Sequence, residues 1–586
     1  MQPILLCKIL NQGRSCLFNA VSECYTIENR KEKARMEVTT MDINTLRQMP
    51  FYLTDSEISR ITSTLASMSD REKCGQLFMV LGNANSDEGL KELITDWGVG
   101  GVLFRPAPAD VVKEQYERAS SYAKIPLLKA ANLEEGGAGV LSDGTYFGNA
   151  LGIAAADDLS CTEAFAACCA AEGRSVGVSW TFSPVVDIDM NPLNPITNVR
   201  TFGSNADRVL ENSRVFVRTL QQYGVAASCK HFPGDGVDYR DQHLHPTYNS
   251  LSAEDWFDTY GRIYKELISE GLMSVMVGHI VQPSVIREIN PLAQAADMLP
   301  GSLSYEMMTG VLRERFGFNG LIITDATIMG GYTMPMSRRD AIPHSIMAGA
   351  DMLCFGTDIR EDITYLYDAL LDGRLTAERL DEAVLRVLAL KAVVSRDYPM
   401  PSSDHKAASA DCARKAVTLV KNNDSIIPVT AEKHPSIKLV ILGKDAVYDC
   451  KMSELAASYL RERGFSVERY DPFEDDLHGT SGLQSDRLTL ILCNYPTASN
   501  QTDVRIHWCE KHALEIPRFV NEEPTVFISF SNPYHLQDIP RVRTFINAYS
   551  ATRATIEAAL SCLTGEQEFK GVSPVDSFCG LEDTRL

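Results

Sequence analysis

Between residues 55 and 400, short runs of β-branched and other apolar residues alternate with longer stretches whose apolar positions recur three and four apart. A run that is apolar at every position suits a strand covered on both faces, whereas the wider spacing places one apolar stripe along a helix. Eight runs are predicted as strands, at 77–81, 99–104, 126–131, 181–188, 225–230, 274–280, 320–324 and 351–355. The stretches 109–124, 161–176, 207–223, 253–270 and 305–316 between them predict helices. Strand and helix alternating through eight units predict a closed (β/α)8 barrel of the TIM type.

A further helical stretch at 377–395 runs into a polar segment rich in proline and serine at 397–404, which reads as a linker. Beyond it, strand-like runs at 438–442, 488–493, 525–530 and 544–547 alternate with helical stretches at 452–464 and 555–563. These predict a smaller three-layer α/β sandwich domain. The expected organisation is an N-terminal leader at 1–54, partly disordered or helical, a barrel at 55–396, the linker at 397–404 and the sandwich at 405–586. The leader has weak periodicity and three in-frame methionines, Met1, Met36 and Met41, so part of it reads as an over-extended start.

Composition narrows the function. A net charge of -21 over 586 residues disfavours phosphate backbones and anionic lipid, which a uniformly acidic surface repels. Neutral substrates fit better. Fifteen scattered cysteines without a C-x-x-C pair read as buried thiols in a reducing compartment. Lys8 interrupts the first apolar run before it reaches the length of a signal-peptide core, and no stretch of about 18 apolar residues occurs. A cytoplasmic location is expected, with neither membrane nor nucleic acid as partner and the chain a monomer or homodimer.

Catalytic groups of a β/α barrel sit at the carboxyl ends of its strands. Here five neighbouring strands end in polar residues: Asn132, Glu134 and Glu135; Asp187 and Asp189; Lys230 and His231; His279; and Asp325. Asp325 follows the apolar run L-I-I-T and precedes a small alanine. A carboxylate so placed can attack an anomeric carbon through an oxocarbenium-like transition state, although a lone strand-end Asp more often caps the next helix. The loop 230–246 holds three histidines and three aspartates. Asp241 and His243 are two apart, so an extended loop turns both to one side, where the carboxylate fixes the imidazole tautomer. Such a pair can protonate a leaving oxygen and later activate an acceptor. A rival reading makes His231, Asp235, Asp238, Asp241, His243 and His245 ligands of zinc or manganese, though none of their spacings is diagnostic. No metal or cofactor is expected.

At these residues the chain resembles glycoside hydrolase family 3, and within it the NagZ-type β-N-acetylglucosaminidases (β-N-acetylhexosaminidases). The resemblance spans about residues 55–400. Its motifs stand in the family's order: G-V-G-G-V-L-F at 98–104, E-G-G at 135–137, D-I-D-M-N-P at 187–192, R-T-F-G at 200–203, K-H-F-P-G at 230–234, D-Q-H at 241–243 and T-D-A at 324–326. The resemblance implies Asp325 as nucleophile, Asp241 and His243 as the general acid/base dyad, and Arg200, Lys230 and His231 as binders of sugar hydroxyls. Asn132, Glu134 and His279 join them as candidate substrate-binding residues. In three places the chain departs from the family pattern. The aspartate and following arginine usual around E-G-G are missing, so Asn132 or Glu134 takes the aspartate's place. Asp235 stands where a histidine is common, and Gln242 fills a dyad position that is usually small.

The resemblance implies a retaining exo-β-N-acetylglucosaminidase that releases terminal N-acetylglucosamine from peptidoglycan- or chitin-derived fragments through a glycosyl-enzyme intermediate. A histidine base also leaves room for phosphate as acceptor, because neutral imidazole repels an anion less than a carboxylate does. The alternatives are a family 3 enzyme for β-glucosides or β-xylosides, and a barrel that binds sugars without cleaving them. No catalytic residue is assigned beyond residue 400, where a packing and stability role is expected, with a loop contribution at the active site or dimerisation as the alternatives.

Overall fold

The computed structural model describes residues 42–448, 450–470 and 486–586. Eight parallel strands close a barrel: β1 Phe78–Leu81, β2 Gly101–Leu103, β3 Leu128–Ala131, β4 Trp180–Thr181, β5 Ala226–Phe232, β6 Ser274–Val277, β7 Leu321–Ala326 and β8 Met352–Cys354. They are hydrogen-bonded in chain order, and β8 returns to β1. β2, β5, β6 and β8 are buried at every position, as strands with a filled interior and a helical coat must be.

Strand four is shorter than the apolar pattern implied, because Pro184 has no N–H for the ladder and pairing lapses until Val185 bridges Lys230. The helical regions expected at 253–270 and 305–316 contain π-helical segments at Phe257–Gly261 and Glu306–Arg315. Of the leader, residues 1–41 lie outside the described residues. The rest packs on the barrel: Leu46 and Phe51 are buried, and Asn319 Nδ2 donates to the Thr45 carbonyl.

The second domain is built on a six-stranded sheet: β9 Thr418–Asn422, β10 Ser436–Gly443, β11 Ser466–Tyr470, β12 Arg487–Asn494, β13 Thr525–Ser529 and β14 Thr544–Asn547. Its order is β9-β14-β13-β12-β10-β11, with β9 antiparallel and the rest parallel. Helices Met452–Arg461 and Arg553–Leu563 bury Leu460, Ile556 and Leu560 against one face. Ile506, Ile516, Leu536 and Ile539 cover the other, completing three layers.

The two domains are joined along a broad seam. Helix His405–Ala416 packs on barrel helix Leu159–Ser175, and Lys415 pairs with Asp158 at 3.0 Å. Nearer the barrel mouth, Tyr534 Oη donates to Asp189 at 2.6 Å. Asn198 Nδ2 contacts Asn532 Oδ1 at 3.2 Å. Both partners of the tyrosine bond are buried, so the second domain is fixed over the strand ends where the candidate chemistry lies. Twelve cysteines fall among the described residues; all are free thiols and nine are buried. Among these residues no helix is long and apolar enough to cross a membrane.

Candidate active site

The carboxyl ends of the barrel strands surround a cavity of about 790 Å3. Its wall contains Asn132 and Glu134 from beyond β3, Arg200 from beyond β4, Lys230 and His231 from β5, His243 from the following loop and Asp325 from β7. Residues far apart in sequence therefore meet because each ends a parallel strand on the same barrel face.

Asp325 enters this wall from an otherwise apolar strand, and its Oδ1 accepts the N–H of Ala326 at 2.7 Å. Burial alone would raise its carboxyl. The imidazoles of His231, His279 and His243, with the Ala326 N–H, outweigh that and hold it down at about 2. It is therefore ionised at neutral pH, as a nucleophile must be. His231 Nε2 lies 3.9 Å from Asp325 Oδ2, and its Nδ1–H donates to Asp187 Oδ2 at 2.7 Å. Asp187 Oδ1 also accepts the His231 backbone N–H at 3.0 Å, so one buried carboxylate fixes the ring's tautomer and orientation.

Across the site, Arg200 grips Glu134 with two bonds, Nε to Oε2 at 2.8 Å and Nη2 to Oε1 at 3.0 Å. Lys230 Nζ lies 2.6 Å from Glu134 Oε1. Burial opposes ionisation of this carboxyl, yet the two cations hold it well below the usual carboxylate range. Glu134, rather than Asn132, is the acid that answers Arg200 and Lys230. Asn132 Oδ1 is only grazed by Lys230 Nζ at 3.5 Å. The cluster carries one carboxylate against two cations, and a sugar's hydroxyls can meet both kinds of partner.

His243 Nδ1–H donates to Asp241 Oδ1 at 2.7 Å, and its backbone N–H reaches the same oxygen at 2.8 Å. Asp241 is buried behind the ring, so Nε2 is the nitrogen left for a ligand. Burial raises the Asp241 carboxyl, but bonds from His243 and Asn500 bring it below its ordinary value. The Asn500 bond comes from the second domain: its backbone N–H donates to Asp241 Oδ2 at 2.5 Å, and Ser499 and Asn500 both line the cavity. The sequence motifs carried no sign of this, because the donor is a main-chain group.

His279, expected among the sugar-binding residues, lies behind the wall. It is wholly buried, with Nε2–H donating to the Ala326 carbonyl at 3.0 Å and Nδ1 accepting from Ser302 Oγ at 2.8 Å. Burial pushes it down to about 4, so it is neutral at pH 7 and supports the turn that carries Asp325. The residues weighed as metal ligands bond to other protein groups instead. Asp238 binds Arg240, Asp241 binds His243, His231 binds Asp187, and His245 Nδ1 faces the Pro246 carbonyl. Among the described residues no three His, Cys, Asp or Glu side chains converge to hold a metal ion.

Comparison with known proteins identifies the family to which this barrel and its site belong. Residues 69–390 match the family model for the glycosyl hydrolase family 3 N-terminal domain. The chain belongs to glycosyl hydrolase family 3. A β-N-acetylglucosaminidase/β-glucosidase of Cellulomonas fimi is 40% identical over 92% of this chain and all of its own length. Among solved structures, the β-glucoside phosphorylase BglX superposes with a TM-score of 0.87 at 42% identity, covering 93% of this chain and 100% of its own. A family 3 β-N-acetylglucosaminidase from Paenibacillus sp. str. FPU-7 superposes at 0.73 and 25% identity, over 87% and 99% of the two chains. The chain is thus a family 3 glycosidase with a barrel and an α/β sandwich, and the sugar it prefers is the finer question.

Proposed function

We propose that this enzyme cleaves terminal β-linked N-acetylglucosamine by double displacement, with Asp325 as nucleophile and His243, held by Asp241, as general acid/base. The observation that carries this reading is the dyad itself, a histidine whose Nδ1–H is fixed on a buried carboxylate and which lines the same cavity as Asp325. Asp325 attacks the anomeric carbon as His243 protonates the departing oxygen, and the resulting glycosyl ester is released when His243 takes a proton from the acceptor. Glu134, Arg200, Lys230 and His231 hold the sugar's hydroxyls during both steps. Chitin- or peptidoglycan-derived fragments are the natural source of such substrates.

A second reading concerns acceptor and sugar together, and the 42% identity to a β-glucoside phosphorylase over its whole length favours it. Phosphate as acceptor would give a sugar 1-phosphate, and an imidazole base is compatible with an incoming anion. Both readings use the same nucleophile. A panel of 4-nitrophenyl β-N-acetylglucosaminide, β-glucoside and β-xyloside, each with and without inorganic phosphate, separates them. Our proposal expects the highest kcat/KM on the N-acetylglucosaminide with free sugar released in phosphate-free buffer. A tenfold preference for the glucoside, or turnover only with phosphate, contradicts it.

A further inference from the structure

Two polar side chains of the loop 230–246 are buried and unused by the chemistry described so far: Asp235 and Gln242. They bond to each other. Gln242 Nε2 donates to Asp235 Oδ2 at 3.0 Å, while Gln242 Oε1 accepts the backbone N–H of His279 at 2.7 Å. The other oxygen of Asp235 accepts from Asn194 Nδ2 and from the Gly236 N–H, each at 2.8 Å. The backbone N–H of Asp235 donates to Asp187 Oδ1, also at 2.8 Å.

The polarity of this chain of bonds is fixed. A backbone N–H can only donate, so Gln242 must present its oxygen to His279 and its amide nitrogen to Asp235. Gln242 also stands in sequence between Asp241 and His243, and its carbonyl accepts the N–H of Gly331 at 3.1 Å. A buried amide anchored at both ends leaves a donor or acceptor unpaired if it turns, which fixes the peptide that joins the dyad residues. Through Asp235 and Asp187 the same chain reaches His231, beside Asp325. Asp235 and Gln242 are the two loop positions where the sequence departs from the family pattern, and the structure makes them partners.

The geometry points to Gln242 as a positioning residue for the acid/base dyad, acting through its bond to Asp235. This rests on the reading of Asp241 and His243 as that dyad. In formation of the glycosyl-enzyme a misplaced imidazole costs most when the leaving group needs a proton, so the loss in kcat/KM should follow leaving-group basicity.

The test is a donor–acceptor swap. Gln242→Glu sets two carboxylates face to face, and Asp235→Asn sets two amide donors together, whereas D235N/Q242E restores one donor and one acceptor with their direction reversed. Rates are compared on N,N′-diacetylchitobiose and cellobiose, whose leaving groups need protonation, and on the 2,4-dinitrophenyl glycosides of the same sugars, which do not. Each single variant should lose at least tenfold in kcat/KM, which reports formation of the glycosyl-enzyme, on the disaccharide and less than threefold on the dinitrophenyl glycoside. The double variant should return to within threefold of wild type on both. Equal losses on the two leaving groups, or a folded double variant no better than the singles, overturn the proposal. If the singles do not fold, the double variant, which keeps every bond, carries the same prediction. His243→Ala is run alongside. If it leaves the disaccharide rate intact, the dyad reading itself fails; if it abolishes that rate while D235N and Q242E behave as wild type, only the role of Gln242 is lost.

Discussion

Asn500 of the second domain donates its backbone N–H to Oδ2 of Asp241 in the barrel at 2.5 Å, across 259 residues of sequence. The carboxylate that orients His243 is therefore held from both domains, by His243 on one oxygen and by Asn500 on the other. The second domain takes part in the site through this main-chain bond, the loop contribution that stood as an alternative to a packing role.

Asn500 has a positive φ of 64°, which glycine tolerates and proline forbids. Asn500→Gly keeps the N–H and should retain near wild-type kcat. Asn500→Pro removes the N–H, and a lost charge-assisted bond of about 1.5–3 kcal/mol should lower kcat on poor leaving groups by at least tenfold. Steady-state rates of the two variants on a disaccharide and on an activated aryl glycoside check this.

Glu134 faces two cations, Arg200 and Lys230, at 2.6 to 3.0 Å. Glu134→Gln keeps the shape and removes the charge. It should cut kcat/KM by roughly 10- to 150-fold, the equivalent of about 1.5–3 kcal/mol for a hydrogen bond to a charged group. Because two partly buried cations lose their counter-charge, the melting temperature should fall as well. Kinetics and thermal unfolding on one preparation report both effects.

Lys391 lies far from the cavity on helix Ala377–Val394, where burial pushes its ammonium down to about 7 and Nζ donates to Gln76 Oε1 at 2.6 Å. Between that value and the ordinary 10.5, the unfolded chain binds a proton that the folded chain does not. This group therefore makes stability rise with pH across that window, by at most roughly 1.4 kcal/mol per unit. Below it both states are charged and the full burial penalty applies. Lys391→Met should be more stable than wild type at pH 6, and its advantage should shrink as pH rises toward 10. Denaturant midpoints measured across that range give the result; a constant difference contradicts it.

The barrel was legible because its strands are apolar at nearly every position and five neighbouring ones end in polar residues. Strand four overran because Val185 and Val186 look like strand while Pro184 interrupts the ladder. In the second domain β9 and β11 escaped notice for a different reason. Both are sheet edges: Thr418–Asn422 mixes polar and apolar positions directly after a helix, and Ser466–Tyr470 leaves Ser466, Glu468 and Arg469 exposed, so neither forms an apolar run. In the site, side chains whose chemistry defines a motif were legible: Asp325, Asp241, His243 and the cations. Asn500 was not, because its contribution is an amide that any residue but proline would supply. His279 carried the right residue type at a strand end, but only packing could reveal that both ring nitrogens are used inside the protein.

In the proposed mechanism Asp325 forms a covalent bond to the sugar. Incubation with 2,4-dinitrophenyl 2-deoxy-2-fluoro-β-glucoside, followed by proteolysis and mass spectrometry, tests it most directly, because fluorine slows release of the intermediate more than it blocks its formation when the leaving group is activated. A nucleophilic Asp325 should give a burst of about one dinitrophenolate per enzyme, loss of activity, and a fluoroglycosyl group on the peptide that carries Asp325. A label on any other residue, or an Asp325→Ala variant that keeps substantial activity on aryl N-acetylglucosaminide, contradicts it.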